Sequence, residues 1–360
     1  MNRRRGIGRL LVAIVVAISI LVPAAPEAMG TGPTIAQLIG QKLVVAMSGT
    51  MPSASLLGRI RRGEVGGVIL FGSNIVNATQ VAALTKSLHD AAIAGGQPRF
   101  LIAVDQEGGS IKRIPWAPPT LSPPQMGKLG SSTIAHRQGA ATGVALAGLG
   151  IDVDLAPVAD VPASTSSILY RQGRTWSFDA ARTALLSTAF ASGLKAGGVL
   201  PVLKHFPGLG FATANTDTRI VTIRQSVSAL RPGLRPYTRG ILLGLPIVML
   251  SNATYPAWDP RYAAGWSVAI NTTLLRTQLG FKGVTMTDSL DGTAAARGYP
   301  TSYLALRAAQ AGTDMLLVTG SETTSARVFS SLVDQARAGH ISLTRLRASY
   351  NRILALKTGG

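Results

Sequence analysis

Residues 199–208 read VLPVLKHFPG, an apolar run that ends on adjacent lysine and histidine side chains and continues into a Pro/Gly turn. Removing an unpaired charge from water costs several kcal/mol, so cations at the end of a buried strand need polar partners. In parallel α/β barrels, the strand ends and the loops after them carry the functional groups. This segment therefore predicts a buried strand that ends in a polar site at Lys204 and His205.

The rest of the chain repeats this unit. Near-continuous apolar strands that alternate with helices are typical of a parallel sheet, and eight such units predict a (β/α)8 TIM-type barrel of the α/β class rather than an open sheet. We predict one barrel domain over residues 29–360. The apolar runs of strand length are 42–47, 65–71, 100–104, 151–158, 199–203, 246–250, 283–287 and 314–318. Segments with helical periodicity include 34–40, 78–94, 132–149, 180–196, 272–279, 302–311, 324–338 and 343–356.

The N-terminus has the pattern of an export signal. Four arginines within residues 3–9 precede an apolar run over 10–22, and small residues follow up to Ala28. This order of basic, apolar and small residues predicts a leader over residues 1–28 and a secreted or cell-envelope protein. The run is shorter than the about 20 residues of a membrane-spanning helix, and an uncleaved leader that serves as a membrane anchor is the alternative.

Composition excludes several classes of function. The chain has no cysteine, which excludes disulfides and thiolate chemistry. Its four histidines lie far apart with no i, i+4 pair, so no metal site is predicted. The formal net charge is +19, which fits a solvated basic surface, an anionic membrane face or an anionic polymer. No basic cluster is interleaved with aromatic residues, so we do not predict a nucleic-acid partner.

The predicted strands three to seven all end on polar or ionisable side chains. Carboxylates accept hydrogen bonds from sugar hydroxyls, whereas lysine and arginine donate to them. Glycoside hydrolysis also needs two titratable groups across the scissile bond. Asp288 follows an apolar strand directly and is either a nucleophile or a helix N-cap. The polar residues at these ends are Asp105 and Glu107, then Asp152, Asp154 and Asp160, then Lys204 and His205, then Ser251 and Asn252, and finally Asp288.

Ordered motifs over residues 34–320 resemble the N-terminal barrel domain of family 3 glycoside hydrolases, specifically the bacterial single-domain β-N-acetylglucosaminidases. The motifs are DQEGG at 105–109 with Arg113, GIDVDLAPVADV at 150–161, RTWSFD at 174–179, KHFPG at 204–208 and TDSL at 287–290. Each motif alone is weakly specific, but together in this order they identify the family.

The resemblance implies an exported, retaining β-N-acetylhexosaminidase that removes terminal β-linked N-acetylglucosamine from cell-wall glycans such as muropeptides. It implies a monomer with a carbohydrate partner, no cofactor and no metal. Asp288 would be the nucleophile. The residues that would hold the sugar are Asp105, Arg113, Arg174, Lys204, His205 and Asn252.

The sequence departs from the family pattern where the catalytic acid is expected. Leu209 replaces a histidine, and Asn215 and Asp217 occupy the positions of the family's Asp-x-His dyad. Asn252 also stands where a histidine is usual. Asp217 is either a substitute acid, if its pKa is raised toward neutrality, or a turn cap beside its threonine neighbours. The alternatives to the hydrolase are a non-hydrolytic glycan-binding relative and a hydrolase of another β-glycoside.

Overall fold

The computed structural model describes residues 1–2 and 32–359. Most of the predicted leader therefore lies outside the described residues. Across the part of the chain that is described, no helix is both long and apolar enough to cross a membrane.

Eight parallel strands form the predicted barrel. The strands lie side by side in the order β7-β6-β5-β4-β3-β2-β1-β8. A parallel bridge between Met286 and Met315 joins the two outer strands and closes the ring. The strands are β1 Leu43–Ala46, β2 Gly67–Leu70, β3 Leu101–Val104, β4 Val153–Asp154, β5 Leu200–Phe206, β6 Ile247–Leu250, β7 Val284–Thr287 and β8 Leu316–Val318.

The strands are apolar throughout because both of their faces are covered. Successive side chains point to opposite faces of a strand. Val44 therefore packs inside the barrel with Ile69 and Leu101, while Val45 and Val68 pack outward with the surrounding helices. The two apolar layers hold the strand ends in fixed positions.

Helices follow the strands and cover the barrel. Two predicted segments, 78–94 and 180–196, match α3 and α7 at both ends. The segment predicted at 272–279 is a π-helix over Ala269–Gln278, in which buried Asn271 donates to Ala311 O and Thr313 Oγ1. The helices are α1 Ile35–Gly40, α2 Ala54–Arg61, α3 Ala78–Ala94, α4 Pro123–Leu129, α5 Ser132–Gly148, α6 Ile168–Arg171, α7 Ala180–Ala196, α8 Val227–Leu230, α9 Arg235–Leu242, α10 Leu290–Arg297, α11 Thr301–Ala311, α12 Glu322–Arg337 and α13 Leu343–Thr358.

The fourth and fifth strands differ from their predicted lengths. The fourth is predicted over 151–158 but β4 covers only Val153–Asp154, in line with the missing N–H of Pro157, which cannot join a ladder. β5 instead continues past residue 203 to Phe206. A register shift between Lys204 and Phe206 interrupts its pairing with β6. The lysine and histidine thus belong to the barrel wall.

Two short hairpins lie on the side of the barrel where the strands end. Gln106–Gly108 pairs with Ile111–Lys112, and Thr254–Tyr255 pairs with Asp259–Ala263. Gly108 has a φ of 91°, and a Cβ there would lie 2.8 Å from Pro119 Cγ. Glycine is therefore required at this turn, which places the polar residues of segment 105–113 over the barrel.

Candidate active site

A cavity of about 490 Å³ opens at the carboxyl ends of the strands. This is the face where barrel enzymes bind substrates. Seven of the eight residues predicted for the site line this cavity: Asp105, Arg113, Arg174, Lys204, His205, Asp217 and Asp288.

Four side chains, two buried and two partly exposed, form an ionic cluster in the cavity wall. Lys204 Nζ lies 2.7 Å from Asp105 Oδ1 and 2.6 Å from Glu107 Oε1. Arg174 binds Glu107 through two parallel hydrogen bonds of 2.7 and 2.8 Å. Arg113 extends the cluster at 3.7 Å from Asp105 Oδ2. Glu107 therefore joins both cations, a role that the sequence analysis did not give it although it named the residue within the strand-3 motif.

The cluster keeps its charges because each is paired. Burial alone would raise the pKa of Glu107, but Arg174 and Lys204 lower it to about 2. Burial opposes the charged form of Lys204, and Asp105 and Glu107 nevertheless raise its pKa. Asp154, next to the cluster inside the barrel, accepts one hydrogen bond from Gln106 N, and burial raises its pKa to about 8. The cavity wall thus presents ionised groups, and the neutral acid Asp154 lies behind them, away from the cavity lining.

Replacing Glu107 with glutamine is expected to lower the free energy of unfolding by about 3 kcal/mol, because it leaves buried cations without their carboxylate. The pKa of Glu107 is lowered from 4.5 to about 2, so this stabilisation is present above about pH 4.5 and is lost as the pH falls toward 2. Urea unfolding at pH 7 and pH 3 measures both effects. Asp334→Asn, at an exposed position on α12, is the control; an equal loss in both variants would contradict the assignment.

His205 is held by a carboxylate from the segment after β4. Its Nδ1 lies 2.8 Å from Asp160 Oδ2. The same carboxylate accepts from His205 N at 3.1 Å and from Leu209 N at 2.6 Å. With Nδ1 donating to Asp160, Nε2 is the ring atom that remains for a ligand. Asp160 belongs to the motif over residues 150–161, and its contact with the histidine is not evident from the sequence.

Asp288 follows β7 at the cavity wall. Its backbone N–H donates to Leu250 O at 3.0 Å, and its Oδ1 accepts from Ser289 N at 2.7 Å. Ser289 occupies the N-cap position of α10. The alternative of a helix N-cap therefore does not describe Asp288, and its carboxylate lines the cavity.

Asp217 lies on the loop after β5 and faces the same cavity. Asn215 Oδ1 accepts from Asp217 N at 3.0 Å, so Asn215 forms the turn that the sequence alternative gave to Asp217. Asp217 Oδ1 is buried without a partner among the described residues. Burial and the nearby charge of Asp288 raise the pKa of Asp217 to about 6. This carboxyl group can hold and release a proton near neutral pH.

The loop that carries Asp217 is fixed to the segment that carries Arg174. Ile168 N donates to Ala212 O at 2.8 Å, and Ala163 N donates to Gly210 O at 3.0 Å. Arg171 Nη2 adds a bond of 2.7 Å to Thr213 O. The segments 161–174 and 208–219 therefore form one unit above the cavity.

Asn252 is the predicted site residue that the structure does not bring to the cavity. Its side chain is buried, and Nδ2 donates to Ser289 O at 2.7 Å. The amide lies behind Ser289, where it contacts the backbone next to Asp288. Its position supports an indirect role through that backbone instead of the predicted contact with substrate.

A (β/α)8 barrel with two carboxyl groups in one polar cavity, above an ionic cluster suited to sugar hydroxyls, has the features of a barrel glycosyl hydrolase. The family model for the glycosyl hydrolase family 3 N-terminal domain matches residues 34–356. The chain belongs to this family and is a glycosyl hydrolase.

Known relatives are similar over most of the chain. An uncharacterized secreted glycosyl hydrolase of Arthroderma benhamiae is 33% identical over 328 residues, which cover 89% of this chain and 92% of the relative. A beta-hexosaminidase of Nitrosomonas eutropha is 34% identical over 77% of this chain and 82% of its own length. A family 3 β-N-acetylglucosaminidase of Paenibacillus has a solved structure with a TM-score of 0.87 at 28% identity. That match covers 91% of this chain and 62% of the Paenibacillus chain.

Proposed function

We propose that this protein hydrolyses terminal β-linked N-acetylglucosamine with retention of configuration, with Asp288 as the nucleophile and Asp217 as the acid and base. One observation carries the proposal: both carboxyl groups line one cavity, and the pKa of Asp217 is raised to about 6. Two carboxyl groups with separate tasks are what this reaction needs. The relatives named as hexosaminidases support the choice of sugar.

The reaction has two steps. A carboxylate oxygen of Asp288 attacks the anomeric carbon and forms an ester while the bond to the leaving oxygen breaks. Asp217 gives its proton to that oxygen. Water then attacks the same carbon and displaces the Asp288 carboxylate, and Asp217 takes a proton from the water. Two inversions restore the original configuration.

Asp105, Arg113, Arg174, Lys204 and His205 hold the sugar in this proposal. They line the cavity with both donors and acceptors, and each sugar hydroxyl can both donate and accept hydrogen bonds. Since Glu107 and Asp160 already fix Arg174, Lys204 and His205, little side-chain entropy is lost when the sugar binds.

The substrates we propose are cell-wall-derived glycans, and the protein acts after export as a monomer. The leader pattern at residues 1–28 supports export. The Arthroderma relative, which is named as a secreted glycosyl hydrolase, supports it as well. The formal net charge is +19, of which the predicted leader contributes +3 through four arginines and Glu27, and the remaining +16 favours encounter with anionic wall polymers.

A chromogenic assay tests the proposal directly. The leaderless protein is expected to release nitrophenol from nitrophenyl β-N-acetylglucosaminide at least about 100-fold faster than from the matching β-glucoside. The reason is that the glucoside lacks the acetamido group, so polar groups of the site that bind the acetamido group are left without a partner. Proton NMR of the first product should show the β-anomer. Turnover of the glucoside alone would assign a different β-glycosidase, and binding without turnover of either would assign a glycan-binding protein.

A further inference from the structure

A second concave surface lies on the other side of the loop that carries Arg174. It has a volume of about 770 Å³ and is bounded by α4, residues 170–179 and the start of α7. Gln172 and Arg174 line the catalytic cavity, whereas Tyr170, Gly173 and Thr175 line this second surface. One loop therefore separates the two sites. We name the second surface the Tyr170 groove; its other relevant residues are Phe178, Lys128 and Arg182.

Two aromatic side chains stand exposed in the Tyr170 groove. Tyr170 is 40% exposed and Phe178 is 49% exposed, and their ring centroids are 4.9 Å apart. Adjacent aromatic rings left in water form an apolar patch of the kind that marks a binding surface. A rigid aromatic face packs well against the C–H face of a pyranose ring. The patch sits one loop away from a cavity that hydrolyses glycosides.

The charge of the Tyr170 groove is positive. Lys128, Arg171 and Arg182 are exposed there, and none of them forms an ion pair among the described residues. The acidic residue of the groove, Asp179, accepts from Arg182 N at 2.6 Å as the N-cap of α7. Arg171 already binds Thr213 O. Lys128 and Arg182 are thus the cations open to a ligand, which must be anionic to complement them.

We propose that the Tyr170 groove binds a glycan chain that carries carboxylate groups. Sugar rings lie against Tyr170 and Phe178, and carboxylates pair with Lys128 and Arg182. The choice of an amino-sugar polymer as the ligand rests on the proposed function. The inference that the groove binds an anionic glycan rests on its own aromatic and cationic residues. A chain held beside the cavity keeps its non-reducing end near Asp288, which lowers KM for polymer while the chemical step is unchanged.

Binding is measured by calorimetry on the full chain in an Asp288→Asn background, so that no hydrolysis interferes. The probe is a set of peptide-free strands of alternating N-acetylglucosamine and N-acetylmuramic acid, which carry one carboxylate per repeat. The double change Tyr170→Ala/Phe178→Ala is expected to raise Kd at least about tenfold. Lys128→Gln/Arg182→Gln should weaken binding and reduce its salt dependence.

The chain offers a matched control in another exposed aromatic pair. The Tyr299 and Tyr303 rings lie 4.8 Å apart at the same 40° angle, but they do not line the groove. Tyr299→Ala/Tyr303→Ala should leave Kd unchanged. With Asp288 intact, both aromatic double variants, Tyr170→Ala/Phe178→Ala and Tyr299→Ala/Tyr303→Ala, should cleave the small aryl substrate at the normal rate.

Three results would overturn the proposal: equal Kd values for the groove and control variants, equally tight binding of neutral chitohexaose, or full displacement by polyglutamate at matched charge. If the protein binds the strands through the groove but hydrolyses no aryl glycoside, the proposed function fails and the groove stands.

Discussion

Asp288→Asn is expected to lower kcat on nitrophenyl β-N-acetylglucosaminide by at least about 10 000-fold, because an amide cannot form the glycosyl ester. The side chain keeps its size, and Ser289 N can still donate to the amide oxygen. The melting temperature and the affinity for a bound sugar should therefore change little. A loss of activity without a loss of binding identifies a group that acts on the reacting atoms.

A second variant separates a nucleophile from a merely nearby carboxylate. Asp288→Ala opens space where the carboxylate stood, and added azide can then attack the anomeric carbon in its place. The product is expected to be an α-glycosyl azide, since one inversion replaces two. Asp334→Asn, an exposed carboxylate on α12, is the control and should retain full activity. A β-glycosyl azide, or normal turnover by Asp288→Asn, would rule out the assigned role.

Asp217→Asn is expected to slow hydrolysis in proportion to the need for a proton on the leaving group. An alkyl glycoside should lose about 100- to 1 000-fold in kcat/KM, whereas a dinitrophenyl glycoside should lose less than about tenfold. Asparagine removes the proton but keeps the size of the side chain, whose Cβ lies 3.1 Å from where a Cβ on Gly292 would stand. The difference between the two substrates is therefore chemical in origin.

The pH profile provides the second readout. The pKa of Asp217 is raised from 3.8 to about 6, so the protonated acid is present below about pH 6 and disappears above it. For the alkyl glycoside, kcat/KM should fall as the pH rises through 6, and this fall should be absent in Asp217→Asn. Thr218→Val, on the same loop, is the control and should keep the wild-type profile. An unchanged profile in Asp217→Asn would assign the acid to another group.

The sequence was sufficient to predict the barrel because its strands are apolar on both faces. Each of the eight apolar runs overlaps one strand of the ring, and seven of them contain their strand in full, since only β5 extends beyond its run. The residues directly after the strands, such as Asp105 and Asp288, follow the barrel geometry and line the cavity. Because these residues follow their strands directly in the chain, their position in the fold can be predicted from the sequence.

What the sequence did not predict depends on pairing between distant segments. Glu107 bridges Lys204 and Arg174, which lie 97 and 67 positions away in the chain. No local sequence pattern predicts such a contact. Asp160 orients His205 across 45 residues. Asn252 was assigned by position after β6, but its amide turns toward Ser289 because that carbonyl needs a donor.

The loop over residues 208–219 is anchored to segment 161–174 largely through backbone N–H and C=O groups. Such anchors do not depend on which side chains the loop carries. Substitutions can therefore accumulate at its exposed positions while its path above the cavity is kept. Asp288, by contrast, is built into the barrel wall, so in the proposed mechanism the nucleophile and the proton donor are positioned by independent parts of the fold. Under that mechanism, position 217 is a practical point at which to engineer the working pH of the enzyme.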